Sequence, residues 1–239
     1  MDNAGTESWS GDGSSAKIGL SADIKSLGIR MQIDARDVFL VVDVQNDFCS
    51  GGALAVSGGE EVISPIQRVA PKFQHILLTQ DWHPADHTSF ATAHPGKQPF
   101  ESVEMPYGVQ TLWPPHCVQG SHGAEFHPAL RLPQAQLILR KGYHRDIDSY
   151  SAFVENDRTT STGLAGYLRE RGLRRIFLAG LAYDYCVAYS ALDARRLGLE
   201  VVVLRDACRA IGLNDSVATT DRAFAESGVR VIESAELPG

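Results

Sequence analysis

The chain has 239 residues, 44% of them hydrophobic and 21% charged, with a formal net charge of −7 and a pI near 5.6, which is enough apolar material for one substantial α/β domain. Its 22 basic residues are scattered, which argues against a nucleic-acid surface, since phosphate binding needs clustered Lys and Arg; no stretch approaches the roughly 18 apolar residues of a membrane span. The start lacks the basic and apolar blocks of a secretory signal, and Cys49, Cys117, Cys186 and Cys208 form no CxxC pair, so free thiols, a cytoplasmic setting and a small-molecule partner are expected, with self-association into a homo-oligomer left open.

Residues 1–35 are rich in Gly, Ser, Asp and Asn, a composition that cannot bury enough apolar surface to offset its ordering entropy, and they are read as a flexible N-terminal extension. The domain is placed at 36–239. Within it, apolar runs near 38–43, 75–80, 136–140, 175–179, 200–205 and 229–233 predict six strands. Helical periodicity near 59–71, 162–172, 185–198 and 214–227 predicts helices between them. Continuously apolar strands alternating with helices imply a doubly wound, mainly parallel six-stranded sheet with helices on both faces. In such a fold the chemistry gathers at the carboxyl ends of the strands. The segment 81–135 breaks the alternation and is rich in Pro, His and Trp. A segment of that length without elements of its own reads as a functional loop.

Three polar residues fall where apolar strands end: Asp43 after VFLVV, Lys141 after LILR, and Cys186 after FLAGLAYDY. Singly these are a turn residue, a solvated lysine and a small buried hydrophobe. On one sheet edge they make a chemical unit. A cysteine attacks as thiolate, and an ammonium and a helix start beside Cys186 are expected to bring its pKa down from about 8.5 toward neutral. An aspartate can take the thiol proton and pass it to a leaving amine. A second set is Asp81, His83 and His87 in TQDWHPADH, with His116 in WPPHCVQG. Asp81 and His83 are two apart on an extended segment and so share a side, and imidazole with carboxylate suits zinc, iron or manganese. The spacing fits histidines that merely cap loop turns equally well. His75, His94, His122, His127 and His144 have no such company.

The blocks VVDVQNDF, TQDWHP, WPPHCVQG, RKGYHRDIDSYSAF and GLAYDYCV, in this order, resemble the five signature blocks of the nicotinamidases within the isochorismatase-like cysteine hydrolases. The resemblance covers the chain from about Val38 onward. It implies hydrolysis of nicotinamide to nicotinate and ammonia, in NAD salvage, through a cysteine thioester. It further implies Asp43, Lys141 and Cys186 as triad and Asp81, His83 and His116 as ligands to one divalent metal ion, zinc foremost, with His87 as a nearby candidate. The oxyanion hole falls to the backbone N–H groups of Ala182 and Cys186, after a cis peptide joining Leu181 to Ala182. Phe48, Leu54, Trp113 and Tyr150 would wall the ring site. Tyr183 is a departure, since relatives usually carry Thr there, and a bulky ring beside the hole is expected to narrow the pocket or to change the hydrogen bonding around it. Other amides remain alternatives, namely substituted nicotinamides or ureido and carbamoyl compounds, as does a non-catalytic binding module.

Overall fold

The computed structural model describes residues 32–238, so the arm expected over 1–35 lies outside the described residues except for its last four. Strand β1 (Asp37–Val42), helix α1 (Ile63–Val69), β2 (His75–Asp81), β3 (Ser102–Met105), β4 (Gly108–Thr111), β5 (Leu137–Lys141), α2 (Leu164–Glu170), β6 (Arg175–Leu181), α3 (Ala188–Arg196), β7 (Glu200–Arg209), α4 (Ser216–Ser227) and β8 (Arg230–Ile232) follow in that order. The six strands expected from the apolar runs form one sheet in the order β5-β2-β1-β6-β7-β8, every pair parallel.

Alternate residues of β1 explain why its sequence is apolar throughout. Phe39 and Val41 pack with Ile63, Ile66 and Val69 of α1 on one face. Val38, Leu40 and Val42 pack with α2, α3 and α4 on the other, where α3 presents Ala188, Ala191 and Ala194. Three alanines spaced by three place only small side chains toward the sheet, so the helix can lie close to it. Phe177 of β6 is fully buried and meets Phe73 edge-on, with ring centroids 4.9 Å apart.

The chain builds outward from β1 to β2 and β5, then returns to the other side of β1 as β6. The two directions part between β1 and β6, and at such a switch point the loops diverge and leave a crevice outside the carboxyl ends. Gly180 of β6 sits at that point with φ +121°, where an added Cβ would lie 2.1 Å from the Val42 carbonyl oxygen. The two strands therefore approach as closely as they do only because position 180 has no side chain.

One pair of elements was not anticipated. Strands β3 and β4 form an antiparallel hairpin within the long segment after β2, joined by Pro106 and Tyr107. Four-residue strands give too little alternation to stand out from a Pro- and His-rich context. Strand β7 also runs four residues past the expected end. Its register against β6 shifts between Leu178 and Gly180, and Asp206 accepts the Ser234 backbone N–H at 2.8 Å.

Gly180→Ala is expected to cost roughly 1–3 kcal/mol or more, the range for overpacking, read as a lower urea midpoint in equilibrium unfolding. A midpoint unchanged from the parent chain would refute the close-approach role of Gly180.

Candidate active site

The carboxyl ends of β1, β2 and β5 and the turn after β6 bring Asp43, Asp81, Lys141 and Cys186 together. Lys141 has no exposed surface. Its ammonium lies 2.8 Å from Asp43 Oδ2, donates to Asp81 Oδ1 and to the Ser149 carbonyl at 3.0 Å, and stands 3.4 Å from Cys186 Sγ. Burial disfavours its charge, but Asp43 and Asp81 together hold its pKa well above the ordinary lysine value. Asp81 is also buried, yet Lys141 and His83 keep its carboxyl well below the usual range.

Asp43 takes the left-handed backbone conformation, φ +47°. Thr79 fixes one side of its carboxylate, with Oγ1 donating to Oδ1 at 2.6 Å. Oδ2 has no aligned hydrogen bond although it pairs with the lysine charge. One oxygen each of Asp43 and Asp81 and the Cys186 sulfur lie within 4.8 Å of one another. Desolvation raises the Asp43 pKa more than Lys141 lowers it, so this carboxylate is the readier of the two to accept a proton.

Cys186 does not open α3 as expected. It lies in a five-residue π-turn, Tyr183–Val187, ahead of the helix, where the N–H groups of Tyr185 and Val187 both donate to the Ala182 carbonyl at 3.1 Å. The Leu181–Ala182 peptide is cis. The thiol pKa is also not depressed: burial pushes it well above the ordinary value, Lys141 offsets only part of this, and Asp43 and Asp81 add to it.

The imidazoles of His83 and His116 converge on the free side of Asp81. His83 Nε2 is 3.4 Å from Asp81 Oδ2 and His116 Nε2 is 3.7 Å from it. Each ring hydrogen-bonds a backbone carbonyl through its other nitrogen, His83 Nδ1 with Gly142 at 2.8 Å and His116 Nδ1 with Pro114 at 2.9 Å. A nitrogen that donates to a carbonyl leaves the other with its lone pair exposed, which is how metal-binding imidazoles are oriented. Gly142 is needed for this approach, because a Cβ there would fall 2.4 Å from His83 Cε1.

His87 stacks near His83, centroids 4.4 Å apart, but both its nitrogens are engaged. Nδ1 accepts from the Ser89 backbone N–H at 3.2 Å, and Nε2 faces the Ile147 carbonyl at 3.3 Å. Burial and His83 push its pKa down to about 4. His83, His87 and Asp148 also offer donor atoms within 4.8 Å of one another, yet the hydrogen bonds on His87 leave it no free lone pair. The remaining five histidines join none of the convergent donor groups found among the described residues.

Cys186 of the first set and Asp81 and His116 of the second line one small pocket. Phe48, Leu54, Trp113 and Tyr150 line it, together with Asp148, Tyr185 and Ile211, which sequence reasoning did not single out. Ile211 follows the carboxyl end of β7, a position the strand-end rule could have flagged, and Tyr185 precedes the cysteine. Trp113 meets Tyr185 edge-on at 5.0 Å and Tyr150 edge-on at 6.3 Å, with Trp113 Nε1 donating to the Tyr150 hydroxyl at 3.1 Å.

Tyr183 does not narrow this pocket. Its hydroxyl donates to Asp221 of α4 at 2.5 Å, its ring meets Phe224 edge-on at 5.7 Å, and Arg205 lies over its face at 4.3 Å. Asp184, next in the turn, accepts from the backbone N–H groups of Ile211 at 2.9 Å and Gly212 at 2.8 Å, which ties the Ile211 wall to the cysteine turn.

Residues 37–236 match the isochorismatase domain. The chain belongs to the isochorismatase family. It is 53% identical to the nicotinamidase of Acinetobacter baylyi over 88% of its own length and 99% of that protein. Among solved structures, the nicotinamidase/pyrazinamidase of Acinetobacter baumanii superposes with a TM-score of 0.84 at 52% identity, covering 85% of this chain and 98% of that one. The pyrazinamidase of Pyrococcus horikoshii in complex with zinc superposes with a TM-score of 0.68 at 33% identity, covering 83% of this chain and 99% of that one.

Asp43→Asn removes a charge that raises the Cys186 pKa, so in metal-free protein the pH midpoint of iodoacetamide alkylation should fall by about one unit or more while turnover is lost. A midpoint that rises or stays put would contradict the electrostatic reading. Tyr183→Phe should cost about 1 kcal/mol of stability and leave KM unchanged, as checked by thermal unfolding and steady-state kinetics.

Proposed function

We propose that the chain is a nicotinamidase, hydrolysing nicotinamide to nicotinate and ammonia in NAD salvage. The observation that carries this is one pocket with aromatic walls onto which Cys186, of the cluster with Asp43 and Lys141, and Asp81 and His116, of the donors with His83, both open. A flat carboxamide ring between Phe48, Leu54, Ile211 and the Trp113, Tyr150 and Tyr185 edges would place its amide carbon toward the Cys186 sulfur. The high identity to nicotinamidases along the whole domain supports the same substrate.

In this reading Asp43 Oδ2 takes the thiol proton as sulfur attacks the amide carbon. The developing oxyanion is met by the N–H groups of Ala182 and Cys186, donors whose removal in such holes typically costs about 3–4 kcal/mol. Asp43 returns the proton to the leaving nitrogen, ammonia departs, and the acyl group stays on sulfur as a thioester. Water, deprotonated by Asp43, then releases nicotinate and restores the thiol. Lys141 remains charged and keeps both carboxylates in place.

The donor set fits a divalent ion. Two imidazole Nε2 atoms and one carboxylate oxygen converge, and each imidazole is oriented by a backbone carbonyl. Asp81, His83 and His116 would hold it, zinc being favoured by the N and O donors and by the zinc-bound relative. When bound, the ion supplies a Lewis acid that orients and polarises the pyridine ring. No membrane role is assigned, and among the described residues no helix is long and apolar enough to cross a membrane.

The test is ammonia release from nicotinamide by purified protein before and after chelation. Cys186→Ala should abolish release, with metal content unchanged. His83→Ala should lose the metal and raise KM. A folded, metal-loaded protein that releases no ammonia would overturn the substrate assignment, and full metal content in His83→Ala would overturn the ligand set.

A further inference from the structure

The hydrogen-bonding direction along β2 exposes a problem at its last residue. Trp82 N–H donates to the Lys141 carbonyl at 3.0 Å, toward β5. Backbone groups of successive strand residues point to opposite sides, so the N–H and C=O of Asp81 face away from β5, toward β1. Strand β1 is no longer there. Its register with β2 ends at Val41 against Leu78, and the chain then turns at Asp43 so that this carboxylate can reach the lysine. Asp81 is buried, so its two backbone groups must be satisfied within the protein.

Gln45 satisfies them. Its Oε1 accepts the Asp81 N–H at 2.8 Å, and its Nε2 donates to the Asp81 carbonyl at 2.8 Å and, with its second hydrogen, to the Ala124 carbonyl at 2.9 Å. The side chain has no exposed surface and no unused donor. A planar amide with one acceptor and one donor facing a strand is a copy of a backbone peptide, and here it stands in for the strand that has left.

We infer that Gln45 is a positioning residue that fixes the backbone of Asp81 and thereby sets, through one carboxylate, both the Lys141 ammonium and the pair of imidazoles. The inference rests on reading Asp81 as a carboxylate shared between the triad and the metal donors. Asp81 Oδ1 is held by Lys141 and Oδ2 faces His83 and His116, so a rotation of the strand end disturbs both at once. Gln80 is a natural control, since its Nε2 also donates to the Ala124 carbonyl, at 2.9 Å, without touching the Asp81 backbone.

The experiment compares the full chain with Gln45→Met, Gln45→Glu and Gln80→Met, reading zinc affinity by competition with a chromophoric chelator and folding by circular dichroism. Gln45→Met should bind zinc about 10- to 100-fold more weakly, the range seen when a group orienting a ligand is removed. Gln45→Glu keeps an acceptor for the Asp81 N–H but sets a carboxylate oxygen against the Asp81 and Ala124 carbonyls and should also weaken zinc binding, and Gln80→Met should match the parent. Unchanged zinc affinity in every Gln45 variant that folds, an equal loss in Gln80→Met, or failure of both Gln45 variants to fold overturns the inference. Zinc affinity does not depend on the substrate, so a parent chain that binds zinc but leaves nicotinamide intact would sink the substrate reading alone. A parent chain with no zinc affinity would sink the shared carboxylate itself.

Discussion

A lysine ammonium with no access to water, held between two aspartates at the edge of a parallel sheet, organises this molecule's chemistry. Removing such a charge from water is tolerable only with close counter-charges and a full set of hydrogen bonds, and Lys141 obtains these from three separate places in the chain: Asp43, Asp81 and the Ser149 carbonyl. The strand order follows from what this requires. Residues 43, 81 and 141 can meet only if β1, β2 and β5 run in the same direction and end level, which is the outward half of the doubly wound sheet. The return half then delivers Cys186 from the opposite side of β1.

The same charge balance, with burial, accounts for the raised Cys186 pKa. Two carboxylates and one ammonium leave the cluster with one excess negative charge, and ionising Cys186 without moving its proton nearby would add a second in a largely buried site. In the proposed mechanism that proton passes to Asp43, whose own pKa is raised by burial. A lysine beside a cysteine is commonly read as a device for making a standing thiolate. Here the lysine is held by the two carboxylates, and what it secures is their position and charge.

Much of this was legible in the sequence, for reasons that differ from residue to residue. The strands were legible because both faces are buried, which makes their residues apolar throughout and their ends conspicuous: Asp43, Lys141 and Cys186 each interrupt or follow such a run. Six strands and four helices fall where periodicity put them. The direction of Tyr183 was not legible, because the turn that carries it is wound i to i+5, and spacing rules built on 3.6 residues per turn do not say where its side chains point. The hairpin of β3 and β4 was hidden by its shortness. Gln45 was hidden differently, since nothing in one sequence says that a glutamine three residues past a strand serves as another strand's hydrogen-bonding neighbour. The depressed thiol pKa was expected from Lys141 and a helix start, and it fails because two carboxylates and burial outweigh one ammonium.

The walls of the pocket bear on which amides the site accepts. Phe48, Leu54, Trp113, Tyr150, Tyr185 and Ile211 present apolar faces and ring edges, and the Tyr150 hydroxyl is already occupied by the Trp113 and Gln110 side chains. The polar groups on the pocket are those of the cysteine turn, Asp81 and His116, Asp148 and the Tyr185 hydroxyl. A planar heteroaromatic carboxamide offers a polar atom to each of the first two and apolar faces to the walls. An open-chain ureido or carbamoyl compound would have to bury additional N–H groups against aromatic carbon without partners, a cost of several kcal/mol per group in apolar surroundings. The pocket thus discriminates by what it lacks, and the tie from Asp184 to Ile211 holds that apolar wall in register with the Cys186 turn.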